Sequence, residues 1–146
     1  MKDIAVNRKA YHDYFIEETY EAGMVLLGSE IKSLRKGKVS LKEAYVSFSY
    51  GEAWVKGMHI ASYKEATYND HDETRDRKLL LHKREIERLS SKCKIQGYTC
   101  IPLRVYLKDG RAKLEIALAK GKTLYDKRES DKKRVMDRQA KDAMRF

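Results

Sequence analysis

The stretch from Ile101 to Leu118 constrains the fold more than any other. Ile101, Leu103, Val105 and Leu107 alternate with Arg104, Tyr106 and Lys108. After Asp109-Gly110, Ala112, Leu114, Ile116 and Leu118 alternate with Arg111, Lys113 and Glu115. A period of two puts one apolar face on a core, and Asp-Gly supplies the two positive-φ positions of a type I′ hairpin turn. Two long strands with one bare apolar face are not stable alone in water, so further strands or a helical cover must pack on them. The single proline, Pro102, is expected on the outward face near the start of the first strand. Lacking an N–H, it suits an edge or a barrel corner.

The preceding chain supplies the partners. Tyr14, Ile16, Tyr20, Ala22, Met24 and Leu26 share one face of an extended segment interrupted by Glu18, with Gly23 expected as a bulge or bend. Ser29 is expected to cap a two-turn helix over residues 30–36, with Ile31 and Leu34 inward and Gly37 as its stop. Residues 45–50 and 53–58 are strand-like runs either side of Gly51-Glu52. Residues 64–77 read as a long polar loop. Past Leu79-Leu80-Leu81, the spacing of His82, Ile86, Leu89 and Cys93 predicts a second helix, stopped by Gly97. Residues 1–10 read as a basic arm on the body. Roughly five or six antiparallel strands with two short helices favour a mainly β, OB-like barrel over residues 1–118, because closure removes exposed sheet edges. A generic α+β sandwich is the alternative.

Composition narrows the function. The chain has 146 residues and a formal net charge of +10, enough for one domain and a tail. Residues 119–146 form that tail, where ten Lys/Arg face five acids. Dense positive charge attracts polyanions, and nucleic acid is the natural one. No membrane partner is expected, because the tail lacks the apolar face of an interfacial helix and no run reaches spanning length. The N-terminus has no signal-peptide core, and Cys93 and Cys100 lack CxxC spacing, so a reduced, cytoplasmic protein is expected. The four histidines are scattered, with no HExxH or nucleophile elbow. The acidic run from Asn69 to Thr74 lacks the glycine and spaced glutamate of a calcium loop. No catalytic residue, metal or cofactor is therefore expected. In the tail, Ser130 is placed to cap a helix with a thin Met136, Ala140, Ala143, Met144 stripe. With so little apolar area and so much charge, the free tail should be disordered and helical only when bound.

These residues assemble into a resemblance. Asn7-Arg8-Lys9-Ala10 with Tyr14-Phe15-Ile16 and Tyr20-Glu21-Ala22-Gly23, continuing to Gly28, Glu30-Ile31-Lys32-Ser33-Leu34-Arg35 and Gly37, is similar to the opening signature of the SmpB (small protein B) family. Arg77-Lys78-Leu79-Leu80-Leu81-His82 with Glu85-Ile86, and Ala119-Lys120-Gly121-Lys122 with Tyr125-Asp126-Lys127-Arg128, resemble its second and third signatures. The resemblance spans nearly the whole chain. It implies an OB-like barrel that binds the tRNA-like domain of tmRNA and delivers it, with elongation factor Tu, to stalled ribosomes in trans-translation. A monomer is expected. The family's tmRNA-facing positions fall on Asn7, Glu21, Arg35, Arg77, Lys78 and Leu80. Its decoding-centre and mRNA-channel positions, which contact small-subunit rRNA, fall on Gly121, Lys122, Tyr125, Asp126, Lys127, Arg128, Lys132, Lys133, Arg134, Met136 and Arg138. Thr123 stands where the family usually has lysine, Tyr125 where other members have histidine, and Glu73 where proline is common, so the polar loop is expected to be more mobile. Without the resemblance, the residues equally suit a general single-strand RNA-binding barrel with an adhesive tail.

Overall fold

The computed structural model describes residues 2–62 and 71–122. The tail positions Tyr125, Asp126, Lys127, Arg128, Lys132, Lys133, Arg134, Met136 and Arg138, with part of the polar loop, lie outside the described residues. In chain order the elements are β1 (Lys2–Val6), α1 (Arg8–Asp13), β2 (Tyr14–Met24), α2 (Gly28–Arg35), β3 (Val39–Ser40), β4 (Tyr45–Ser49) and β5 (Glu52–Lys56). Then come β6 (His59–Ile60), β7 (Arg77–Leu80), α3 (Lys83–Cys93), β8 (Tyr98–Lys108) and β9 (Arg111–Gly121). Seven strands form one sheet in the order β1-β8-β9-β2-β7-β5-β4, and β3 pairs separately with β6. β4 also packs against β8, so the sheet curls around its core as a mainly antiparallel, barrel-like body. Leu34 of α2 and Leu89 of α3 join Val55, Leu79, Leu114 and Ile116 in that core.

The β8–β9 hairpin turns at Asp109-Gly110, with φ of 51° and 77°, as the Asp-Gly pair dictates. Its alternation is nevertheless broken. The register shifts between Pro102 and Arg104, leaving Leu103 as an extra residue. Ile101 and Leu103 therefore pack with Ala10, Ala117 and Ala119 in a second cluster, while Val105 and Leu114 stay in the main core. Pro102 is buried opposite Ile116 on an interior strand, correcting its expected outward position. The bulge accommodates the missing N–H. β2 has the same device, but between Ile16 and Glu18 rather than at Gly23. Tyr14 and Ile16 pack on the second cluster, and Tyr20, Ala22 and Met24 on the first. Glu18 is satisfied at the rim by the Tyr20 hydroxyl and by Arg88 of α3.

Five elements were not expected from the sequence: β1, α1, the short pair β3 and β6, and β7. α1 covers the outer face of the bulged strands through Ala10. Ser29 is not a cap. It lies in the first turn of α2, bonded to His71 at 2.8 Å, and Glu30 instead accepts from the Leu27 N–H at 2.8 Å. Gly37 ends α2 as expected, with φ of 78°. The β4–β5 turn is Tyr50-Gly51, one residue earlier than expected. β9 runs to Gly121, which pairs with Tyr14, so the body extends past the expected boundary at Leu118.

Arg77 and Glu30 form a buried ion pair at 2.7 Å, both fully enclosed. Arg77 also donates to the Met58 carbonyl at 2.6 Å, and Arg75 reaches Glu30 at 2.7 Å. Arg77, expected at the RNA surface, has its side chain wholly inside the fold. Charges are not left bare in an interior, so this pair pins β7 to α2.

At the described end of the polar loop, the Glu73 carboxylate accepts from His59 Nε2 at 3.0 Å, Ser62 N–H at 3.1 Å and Ser62 Oγ at 2.9 Å. The His59 bond, then those of Ser62, hold its pKa down at about 2. A carboxylate depressed in the fold stabilises above its unfolded range, and that contribution is lost as pH falls through the folded value. Glu73→Gln should therefore flatten the loss of stability between about pH 4.5 and about pH 2. Unfolding midpoints across that window check this; curves of equal slope would contradict it.

Candidate nucleic-acid interface

Where β2, β7, the β4–β5 turn and the start of α3 meet, they leave a groove of about 730 Å³. Three of the expected tmRNA positions, Glu21, Lys78 and Leu80, line it together. The reason is strand alternation. Leu79 goes into the core, 1% exposed, so Leu80 must face out, at 53%. β7 pairs with β2 through Gly23 opposite Leu80, which brings Glu21 to the same groove. Leu80 is therefore no core residue, and its bare side chain is available to an apolar base face.

Glu21 accepts from the Tyr106 hydroxyl and from Lys108 Nζ at 3.4 Å. The Tyr106 bond, aided by Lys108, holds its pKa below the usual carboxylate range despite slight desolvation. Burial, then Glu21 itself, pushes the Tyr106 phenol up. Glu21 is thus ionised and acceptor-only. A carboxylate offers about four acceptor sites, so capacity remains for base or ribose donors. Lys78 pairs with Glu52 at 2.7 Å, both partly exposed. Such a pair holds weakly and is readily exchanged for phosphate. Lys83 and Lys113 also line the groove, with Glu52 and Glu85 interspersed among the lysines. Lys113 was not singled out in the sequence because its outward alternation in the hairpin reads only as solvent face.

The remaining expected positions lie elsewhere. Asn7 is 8% exposed and caps α1: its Oδ1 accepts from Ala10 N–H at 3.2 Å and its Nδ2 donates to the Pro102 carbonyl at 3.0 Å. It holds α1 on the β8 bulge. Arg35 is exposed and donates to the Gly110 carbonyl at 3.3 Å, outside the groove lining. Gly121 lies opposite Tyr14, and Lys122 stands 5.2 Å over the Phe15 ring. Tyr14 to Glu21 spans roughly 20–25 Å of strand at about 3.3 Å per residue. The groove and the start of the tail therefore sit at opposite ends of β2. Among the described residues no histidine, cysteine and carboxylate cluster suits a metal, and no helix is long and apolar enough to cross a membrane.

Comparison with known proteins extends these observations. A family model described as SmpB protein matches residues 4–146. An SsrA-binding protein of Roseiflexus castenholzii is 56% identical, covering 97% of this chain and 93% of that one. An SsrA-binding protein of Bacillus cereus is 54% identical over 99% of this chain and 93% of its own. A solved structure described as "tmRNA-SmpB: a journey to the center of the bacterial ribosome" is similar at TM-score 0.72 and 45% identity, covering 96% of each chain. With a match that reaches from residue 4 to the last, this chain belongs to the SmpB family.

Proposed function

We propose that the chain is an RNA adaptor of trans-translation, which binds the tRNA-like domain of tmRNA and takes it to stalled ribosomes. The observation that carries this reading is the groove, where Glu21, Lys78 and Leu80 converge on a chain closely similar to SsrA-binding proteins. Each supplies a different part of RNA recognition. Leu80 covers a base face, ionised Glu21 accepts from base or ribose, and Lys78 with Lys113 neutralises phosphate. Elongation factor Tu joins through the tmRNA it carries. The tail, with ten cations against five acids over residues 120–146, enters the decoding centre and the empty mRNA channel. There rRNA phosphates relieve its charge crowding, so helix formation and recognition of the vacant channel become one event. Tyr125 stacks on an exposed rRNA base. The protein acts in the cytoplasm by binding and positioning, and carries out no chemistry itself.

A general single-strand RNA binder is the competing reading, and competition binding separates the two. At about 150 mM salt the full chain should prefer the tRNA-like domain over unrelated RNA of equal length by on the order of a thousandfold, the low end for specific nucleic-acid complexes. Equal affinities would overturn the adaptor reading.

A further inference from the structure

Tyr50 stands at the tip of the β4–β5 hairpin and is fully exposed, at 101%. Its φ is 52°, the left-handed region, and it occupies the first position of a two-residue turn followed by Gly51 at 75°. The other hairpin has the same geometry and fills the equivalent position with Asp109, a residue that tolerates it. A bulky aromatic there is strained, and it buries no surface in return. Folding gives no reason for this ring.

Its neighbours supply one. Gly51 and Glu52 form a wall of the groove whose lining includes Leu80 and Lys83. Glu52 is tied to Lys78 at 2.7 Å, which anchors the tip to β7. On its other side Tyr50 borders a second hollow of about 240 Å³, floored by Phe48 and by Ile86 of α3. The ring thus rises from a braced tip whose next residue, Gly51, lines both hollows. We propose that Tyr50 is a further tmRNA-binding residue, whose ring stacks on an unpaired base of the tRNA-like domain held in the groove. A single exposed ring, near a groove to which Lys78, Lys83 and Lys113 bring phosphate partners, suits a stacked base, whereas a protein partner would want a continuous apolar patch. The inference rests on the adaptor reading given above.

The test compares the full chain with Tyr50→Asn, Tyr50→Ala and Tyr50→Phe, measuring affinity for the isolated tRNA-like domain alongside the melting temperature. Asparagine suits the turn, so Tyr50→Asn should melt no lower than the parent, and higher if the strain is relieved. It should nevertheless bind the RNA roughly 5- to 100-fold more weakly, the range for loss of one base stack. Tyr50→Ala should lose comparable affinity, and Tyr50→Phe, which keeps the ring, should retain it. Tyr50→Asn binding at parental strength overturns the proposal while leaving the adaptor reading intact. So does a defect confined to ribosome binding, which would put the ring against a ribosomal surface. If the parent shows no preference for this RNA, the adaptor reading itself fails.

Discussion

Replacing Arg77 by methionine should lower the stability of the fold by up to about 3–5 kcal/mol, the cost of breaking a buried ion pair, with Arg75 left as the remaining cation on Glu30. For a chain of this size that is a fall in melting temperature of roughly 10 °C. The cause is Glu30, which has no exposure and accepts from the Leu27 N–H, Arg75 and Arg77. Desolvation pulls its pKa up, but these hydrogen bonds outweigh that and keep it ionised. Without Arg77, the Met58 carbonyl also loses its donor. Arg75 is partly exposed and still reaches Glu30, so Arg75→Met should cost less. Replacing Glu30 by glutamine in the Arg77→Met background should recover part of the loss by removing a buried charge that only the partly exposed Arg75 still meets. The fraction that remains folded should bind the tRNA-like domain with parental affinity. Thermal melts and binding assays at low temperature check both halves. A variant that melts normally yet fails to bind would return Arg77 to the RNA surface.

That case shows what the sequence could and could not convey. The β8–β9 hairpin was legible because alternation and Asp109-Gly110 are local signals. So were α2 and α3, where Leu34 and Leu89 set the period and Gly37 the stop of α2. The bulges at Glu17 and Leu103 were not, because an extra residue leaves apolar residues in place and changes only which face they serve. β7 is four residues long and opens on an arginine and a lysine, so no strand period can show in it. Arg77 looks cationic and exposed until Glu30, 47 positions earlier, is known to meet it. The capping bonds of Asn7 were hidden in the same way, since its partner carbonyl is 95 positions distant. Glu21, Lys78 and Leu80 were marked by resemblance, and only the β2–β7 pairing brings them to one groove.

Under the proposed function the labour is divided, the body holding tmRNA and the tail reading the ribosome. β9 continues to Gly121, where Gly121 N–H also donates to the Gly97 carbonyl at 3.2 Å. A cut at Leu118 would therefore remove strand residues that pair with Ile16 and Thr99. The informative truncation falls after Lys122, which leaves the sheet, the groove and the cation over Phe15 in place. Affinity for the tRNA-like domain and tmRNA-dependent tagging on ribosomes stalled without a stop codon should then be measured on the same preparation. RNA affinity should stay within about threefold of the full chain, because sequence-independent attraction by the tail's cations is screened at physiological salt, and tagging should be undetectable. Loss of RNA affinity in step with tagging, or tagging that survives the cut, would contradict that division.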